Sequence, residues 1–255
     1  MAAFHKIVYA VDGPVARLTL NRPEKRNALD SEMASELRRD LAESAENTEV
    51  RAVLLSGAGK DFCSGADLAA LHQIANATVM ENVADARQLA DVFLDMRRHP
   101  RPIVAAVRGR ALAGGCGIAT AADIILASES AQFGYPEVKI GFVPAMVMAI
   151  VRRSVSEKRA FELLTSGEPF PARTALEIGM INRIFPDASF DREVESYAAQ
   201  LATRSSSALS LTKSLLYQID SMSFEAALSA GVQTNAIARL TDDCRRGIEQ
   251  FLKRC

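Results

Sequence analysis

The chain has 255 residues, 49% of them hydrophobic and 24% charged, enough to bury a large core as one domain or as one domain with a helical appendage. Thirty basic residues face 31 acidic ones, a formal net charge of −1, so no global positive field exists to hold nucleic acid or an anionic membrane. The opening MAAFHKIVYA lacks a charged region followed by a long apolar run, and no stretch of about eighteen apolar residues occurs. The chain is therefore expected to be cytoplasmic, with neither membrane nor nucleic acid as a partner.

Residues 6–9 and 15–20 are two β-rich runs around Asp12-Gly13-Pro14, which predicts an opening hairpin. Ser31 is a plausible N-cap for a helix to about 45, with Met33, Leu37 and Leu41 along its buried stripe. The apolar runs 52–55, 103–107 and 124–127 read as buried strands, and helical patterns near 80–98 and 113–121 lie between them. Such alternation predicts an α/β layered protein. Beyond about 144 the pattern turns helical, near 145–153, 156–166, 172–178, 191–203, 206–220, 223–238 and 242–252, and only 180–185 resembles a strand. A helical run appended to an α/β body often packs on a neighbouring subunit, which makes a homo-oligomer the expectation.

Cys63, Cys116, Cys244 and Cys255 are scattered, and the only histidines are His5, His72 and His99. No metal-ligand spacing appears, so no zinc site is expected, and the cysteines read as reduced packing residues. Without a histidine candidate beside Ser64, a Ser-His-Asp hydrolase is disfavoured.

Three glycine-containing segments carry the chemistry: Phe62-Cys63-Ser64-Gly65-Ala66-Asp67, Ala111-Leu112-Ala113-Gly114-Gly115-Cys116-Gly117 and Gln132-Phe133-Gly134-Tyr135-Pro136-Glu137. Small residues at strand-to-helix junctions let the backbone approach a ligand, and free N–H groups at a helix start can hold a developing oxyanion. Three such segments in succession, the last ending in a carboxylate, could place two backbone donors and one acid/base around a single carbonyl.

These segments, together with Asn21-Arg22-Pro23, Asn27-Ala28-Leu29, the 101–107 run, Ile140-Gly141, Pro144 and the 251–254 ending, resemble the enoyl-CoA hydratase/isomerase (crotonase) family over nearly the whole chain. The resemblance implies a crotonase-type spiral of ββα units over 1–190 and a C-terminal helical region for oligomerisation over 191–255, assembled as a trimer or hexamer. It implies an acyl-CoA thioester substrate and no separate cofactor, since CoA belongs to the substrate. Carried over by position, the oxyanion donors are the N–H groups of Ala66 and Gly114, and the acid/base is Glu137. Substrate contacts carry over to Lys25, Arg26, Ala28, Ser64, Asp67, Leu68, Gly117 and Ala145, the last where backbone can hold the reacting water. Lys25 and Arg26 read equally well as meeting CoA phosphates or as a solvated charge pair.

One departure bears on the reaction. Typical hydratases of the family carry a first glutamate where this chain has Gly117, twenty positions before Glu137. A lone glutamate can activate water and then protonate the α-carbon, or it can shuttle a proton in a Δ3,Δ2-enoyl-CoA isomerase. Hydration is the favoured reading, because the segments around Gly117 and Glu137 look most like those of bacterial methylglutaconyl-CoA-type hydratases. A non-catalytic homologue that binds RNA or protein is the alternative from another class, and the intact donors and Glu137 weigh against it.

Overall fold

The opening hairpin forms as expected: β1 (Ile7–Asp12) runs antiparallel to β2 (Val15–Leu20). In the computed structural model, which describes residues 5–67 and 77–253, β2 is joined by β3 (Ala52–Gly57), β4 (Ile103–Val107), β6 (Ile124–Ser128) and β9 (Arg183–Phe185). The six-stranded order is β1-β2-β3-β4-β6-β9, parallel from β2 onward. Both faces are covered. Val53, Leu55, Ala105, Val107 and Ile125 belong to the main core. Ala52, Leu54, Val104, Ala106 and Leu126 pack in a second cluster with Phe190, Val194, Ala198 and Ala202 of α7 (Phe190–Ala202). Burial on two sides is why these strands read as continuous apolar runs rather than alternating ones. The expected boundary at 190/191 falls at the first residue of α7.

A second, three-stranded sheet was not legible in the sequence. β5 (Arg110–Leu112) pairs parallel with β7 (Gln132–Gly134), and β7 pairs antiparallel with β8 (Phe170–Pro171). Two or three residues are too few for a periodic signal to emerge.

Among the described residues, the first three helices begin at side-chain caps or at glycine. α1 (Ser31–Glu46) is capped by Asp30, whose Oδ1 accepts from the Met33 N–H at 2.9 Å, so the cap lies one residue before the expected Ser31. Its apolar stripe is buried at Met33, Leu37 and Leu41 as predicted. α2 (Val79–Arg98) starts with a reciprocal Thr78–Glu81 capping box, which satisfies two otherwise orphan donors. α3 (Gly114–Ala121) has every residue buried. It is followed by α4 (Ala145–Ser154), α5 (Glu157–Ser166) and α6 (Ala172–Glu177).

The last helices are α8 (Ser206–Gln218), α9 (Phe224–Leu240) and α10 (Asp242–Leu252). α8 buries only Lys213, while α9 and α10 bury none of their residues. The Lys213 ammonium donates to Met96 O at 2.9 Å, Arg101 O at 3.2 Å and Asp123 Oδ2 at 2.7 Å. Asp123 also accepts from the Tyr217 hydroxyl and from the Ile103 N–H. A buried charge pair is tolerable only when its remaining donors and acceptors are filled in this way. No helix among the described residues is long and apolar enough to cross a membrane.

His99 lies beside this cluster, 4% exposed. Its Nδ1 accepts from the Arg101 N–H at 3.1 Å, and its Nε2 lies 3.0 Å from Ser44 Oγ, which itself donates to Leu41 O. Burial pushes the imidazole down to about 4, and the Lys213 charge acts in the same direction. The unfolded chain therefore takes up this proton first, near its ordinary 6.5, while the folded chain resists until about 4. Stability from this group is full above about pH 6.5 and declines as pH falls toward 4, by about 2 kcal/mol at pH 5. Urea midpoints at pH 7 and pH 5 should differ less for His99→Gln than for the wild type, and an equal drop in both would assign the acid sensitivity elsewhere.

Candidate active site

Backbone hydrogen bonds bring the three glycine-containing segments side by side. Cys63 forms a parallel bridge to Ala111: its N–H donates to Arg110 O at 3.0 Å, and its carbonyl accepts from the Leu112 N–H at 2.9 Å. On the other side of β5, Leu112 pairs with Gly134, and the Ala113 N–H donates to Gly134 O at 2.8 Å. All three chains leave their pairing at the same level, so residues 64–67, 113–117 and 135–137 emerge together.

Ala66 is held from the opposite flank by a parallel bridge to Leu29. The Leu29 N–H donates to Gly65 O at 2.7 Å, and the Asp67 N–H donates to Leu29 O at 2.8 Å. In a parallel bridge the flanking residues bond the partner, so the N–H of Ala66 itself faces away from Leu29. Ala66 is exposed. Gly114 is the first residue of α3, and an N–H at that position has no acceptor within the helix. A Cβ on Gly114 would meet Leu29 Cδ1 at 3.5 Å, and one on Gly65 would meet the Ala113 Cβ at 2.8 Å. Leu29 thus lies against both the Ala66 and the Gly114 segment, and the two segments meet at Gly65 and Ala113.

Glu137 lies in a 3-10 turn (Pro136–Ile140) after the fully buried Tyr135, whose hydroxyl is 2.9 Å from Thr120 Oγ1 on α3. The carboxylate is half-buried, and its Oε2 is sealed from solvent without a hydrogen-bond partner among the described residues. Loss of hydration disfavours the charged form, so burial raises the Glu137 carboxyl above its ordinary value. Its charge in turn helps to raise Cys116 and Tyr135, which puts it electrostatically next to the first turn of α3. Burial is the main cause that pushes Cys63 up to about 12 and Cys116 up to about 11. Neither is a thiolate nucleophile at neutral pH, and Cys63, Cys116 and Cys244 are all free.

The carried-over contact residues separate into distinct environments. Lys25 is half-exposed with Nζ 3.2 Å from Asp67 Oδ2, and Arg26 is exposed with its carbonyl accepting from the Ser64 N–H. Ala28 is buried, and its carbonyl takes a guanidinium N–H of Arg22 at 2.7 Å. Asp67 is buried and ion-paired with Arg22 at 2.9 Å as well as with Lys25. Leu68 and His72 lie outside the described residues. Ala145 is exposed at the start of α4, and its N–H already donates to Val143 O at 2.8 Å, so that amide is not free for water. Gly117 is buried, and a Cβ there would lie 2.4 Å from Val147 Cγ1 and 2.9 Å from Phe93 Cζ. The place of the missing first glutamate is filled by two apolar side chains.

Two supporting residues had no assigned role in the sequence, although their motif was noticed. Asn27 is fully buried: its Oδ1 accepts from the Arg22 N–H, and its Nδ2 donates to the carbonyls of Ala58, Asp61 and Phe62 at 2.8–3.1 Å. The Arg22 guanidinium spans Ala28 O, Asp30 and Asp67. Together they fasten the loop carrying Lys25 and Arg26 to the strand end that carries Ala66. Among the described residues no three His, Cys, Asp or Glu side chains gather into a metal site.

A sequence profile for enoyl-CoA hydratase/isomerase matches residues 11–255. A Thermus thermophilus protein that bears an enoyl-CoA hydratase name is 40% identical over 248 residues, 97% of this chain and 98% of that one. The 2,3-dehydroadipyl-CoA hydratase of Escherichia coli K12 is 31% identical over 241 residues, covering 94% and 92%. The crystal structure of an enoyl-CoA hydratase from Mycobacterium smegmatis superposes with a TM-score of 0.93 at 30% identity, covering 98% of this chain and 96% of that one. The paired glycine-containing segments, the half-buried glutamate beside them and these end-to-end matches agree: the chain belongs to the enoyl-CoA hydratase/isomerase family and has the crotonase fold.

Proposed function

We propose that this protein hydrates a 2-enoyl-CoA thioester, with Glu137 as the acid/base and the N–H groups of Ala66 and Gly114 as the oxyanion hole. The observation that carries the proposal is the Glu137 carboxylate, raised by burial and with a sealed, unpartnered oxygen beside the start of α3. Glu137 accepts a proton from water as the water oxygen bonds to the β-carbon, and the π electrons move through the α-carbon onto the thioester oxygen. The enolate collapses as Glu137 returns a proton to the α-carbon, leaving a 3-hydroxyacyl-CoA. Donors already in place when the negative charge appears need no reorganisation, and losing one typically costs about 2.7–4 kcal/mol of barrier.

For the substrate, Lys25 is the movable cation. Its Nζ rests on Asp67, which Arg22 already neutralises, so it can turn to a CoA phosphate at small electrostatic cost. An acyl-CoA at 100 times its Kd should add about 2.7 kcal/mol to stability and raise the melting temperature, whereas the free acid should not. A homo-oligomer fits the apolar side chains that α9 and α10 leave exposed, including Phe224, Val232, Leu240 and Phe251.

The closure of Gly117 favours a second reading. With Val147 and Phe93 over that position, no second carboxylate helps to hold water, and double-bond isomerisation needs only one base. Oxygen-18 water separates the two: hydration places the label in the product and isomerisation does not.

Glu137→Gln keeps size and removes the proton acceptor, so kcat should fall by at least about 10²-fold with acyl-CoA affinity nearly unchanged. Near-normal turnover would assign the base elsewhere. Gly117→Glu should not restore a two-carboxylate site, since overpacking there costs about 1–3 kcal/mol before the buried charge is counted. Its melting temperature should drop without a gain in crotonyl-CoA hydration, and Gly117→Glu combined with Val147→Ala should recover part of the loss. A stable, faster single variant would show that the space is there.

A further inference from the structure

Ala113 has φ 49° and ψ −129°, a region that L-residues with a Cβ avoid and glycine occupies readily. Its place makes the strain informative. An N-cap ordinarily sits in the β region, whereas Ala113 is the N-cap of α3 and the residue just before Gly114. Strain of this kind persists only where the surroundings over-determine it, and it gathers at sites where geometry matters.

Three contacts hold Ala113 there. Its N–H donates to Gly134 O at 2.8 Å, and its carbonyl accepts from the Gly117 N–H at 3.0 Å. Its methyl lies against Gly65, where any Cβ would come within 2.8 Å of it. The second contact sets the direction of the neighbouring donor. In a trans peptide the C=O and the following N–H point in opposite directions, so a carbonyl of Ala113 directed along α3 sends the Gly114 N–H outward from the helix start. The unusual ψ of Ala113 orients that peptide plane, and the methyl on Gly65 ties it to the segment that carries Ala66.

We propose that Ala113 is a positioning residue whose strained backbone, wedged by its methyl on Gly65, aims the Gly114 N–H at the oxygen that Ala66 also binds. This rests on the reading of Ala66 and Gly114 as the oxyanion donors. Glycine at 113 would occupy the same angles without strain but would also be free to leave them. Relief of strain should then outweigh the extra freedom of the unfolded chain, while the donor loses its fixed direction. Stability and catalysis should move in opposite directions.

Acetoacetyl-CoA reads the donors directly, because losing an α-proton gives an enolate that absorbs in the near ultraviolet and places charge on the thioester oxygen. Two aimed N–H groups lower the pH at which the bound ligand ionises relative to the free ligand. For Ala113→Gly the melting temperature should equal or exceed that of the wild type. The ionisation midpoint of bound acetoacetyl-CoA should rise by about one pH unit, and kcat on the best 2-enoyl-CoA should fall about tenfold. An unchanged midpoint or an unchanged kcat overturns the proposal, and so does a lower melting temperature, which would make the methyl ordinary packing. A wild-type chain that leaves the ionisation of acetoacetyl-CoA unmoved refutes the oxyanion-hole reading itself, before Ala113 is in question.

Discussion

The short hydrogen-bonded ribbon of Cys63, β5 and β7 is what the site depends on. Three bonds across it, from the Cys63 N–H to Arg110, Leu112 to Cys63 and Ala113 to Gly134, together with the β5–β7 ladder, align three segments that are far apart in sequence. Each bond is individually modest, but the ribbon is buried against the main core at Cys63, Ala111 and Phe133. Leaving any of these amides unpaired would cost more than the bond itself is worth. The three segments are thus aligned first by backbone pairing, and side chains such as Asn27 and Arg22 brace that alignment.

The ion-pair lattice at the N-terminal end supports that ribbon from outside. Lys6, Asp30, Arg22, Asp67 and Lys25 form a continuous chain of contacts, and Asn27 closes the adjoining turn through backbone carbonyls. Burial alone would raise Asp30, but its bonds to Lys6 and to the Met33 N–H outweigh that and hold it below its ordinary value. The same carboxylate caps α1 and braces Arg22, so the first helix and the Ala66 segment share one anchor. At the far end, Lys213 and Asp123 do a comparable job, tying α8 to the ends of α2 and β4.

Much of this was legible in the sequence where signals are long. All six strands of the main sheet and the stripe of α1 announced themselves, because apolar runs and helical spacing each leave a pattern over several residues. The three segments that the fold brings together were singled out by composition, and Glu137 by its place at the end of the third. What escaped has identifiable causes. β5, β7 and β8 are too short for periodicity, and β8 contains Pro171. Ala113 occupies a glycine conformation without being glycine, so nothing marks it. The closure of Gly117 depends on Val147, thirty positions onward, and on Phe93, contacts that only the folded chain brings together.

α3 is composed of Gly-Gly-Cys-Gly-Ile-Ala-Thr-Ala, entirely buried, with neighbours already at contact distance over Gly114, Gly115 and Gly117. A helix so confined can accept almost no new atoms without displacing Gly114 at its head. Divergence of acyl preference within this architecture is therefore channelled to the elements that look onto α3, such as Phe93 on α2 and Val147 on α4. Those walls can exchange bulk while the helix itself stays the same, so under the proposed oxyanion role of Gly114 the chemistry and the choice of substrate are free to evolve on separate parts of the chain.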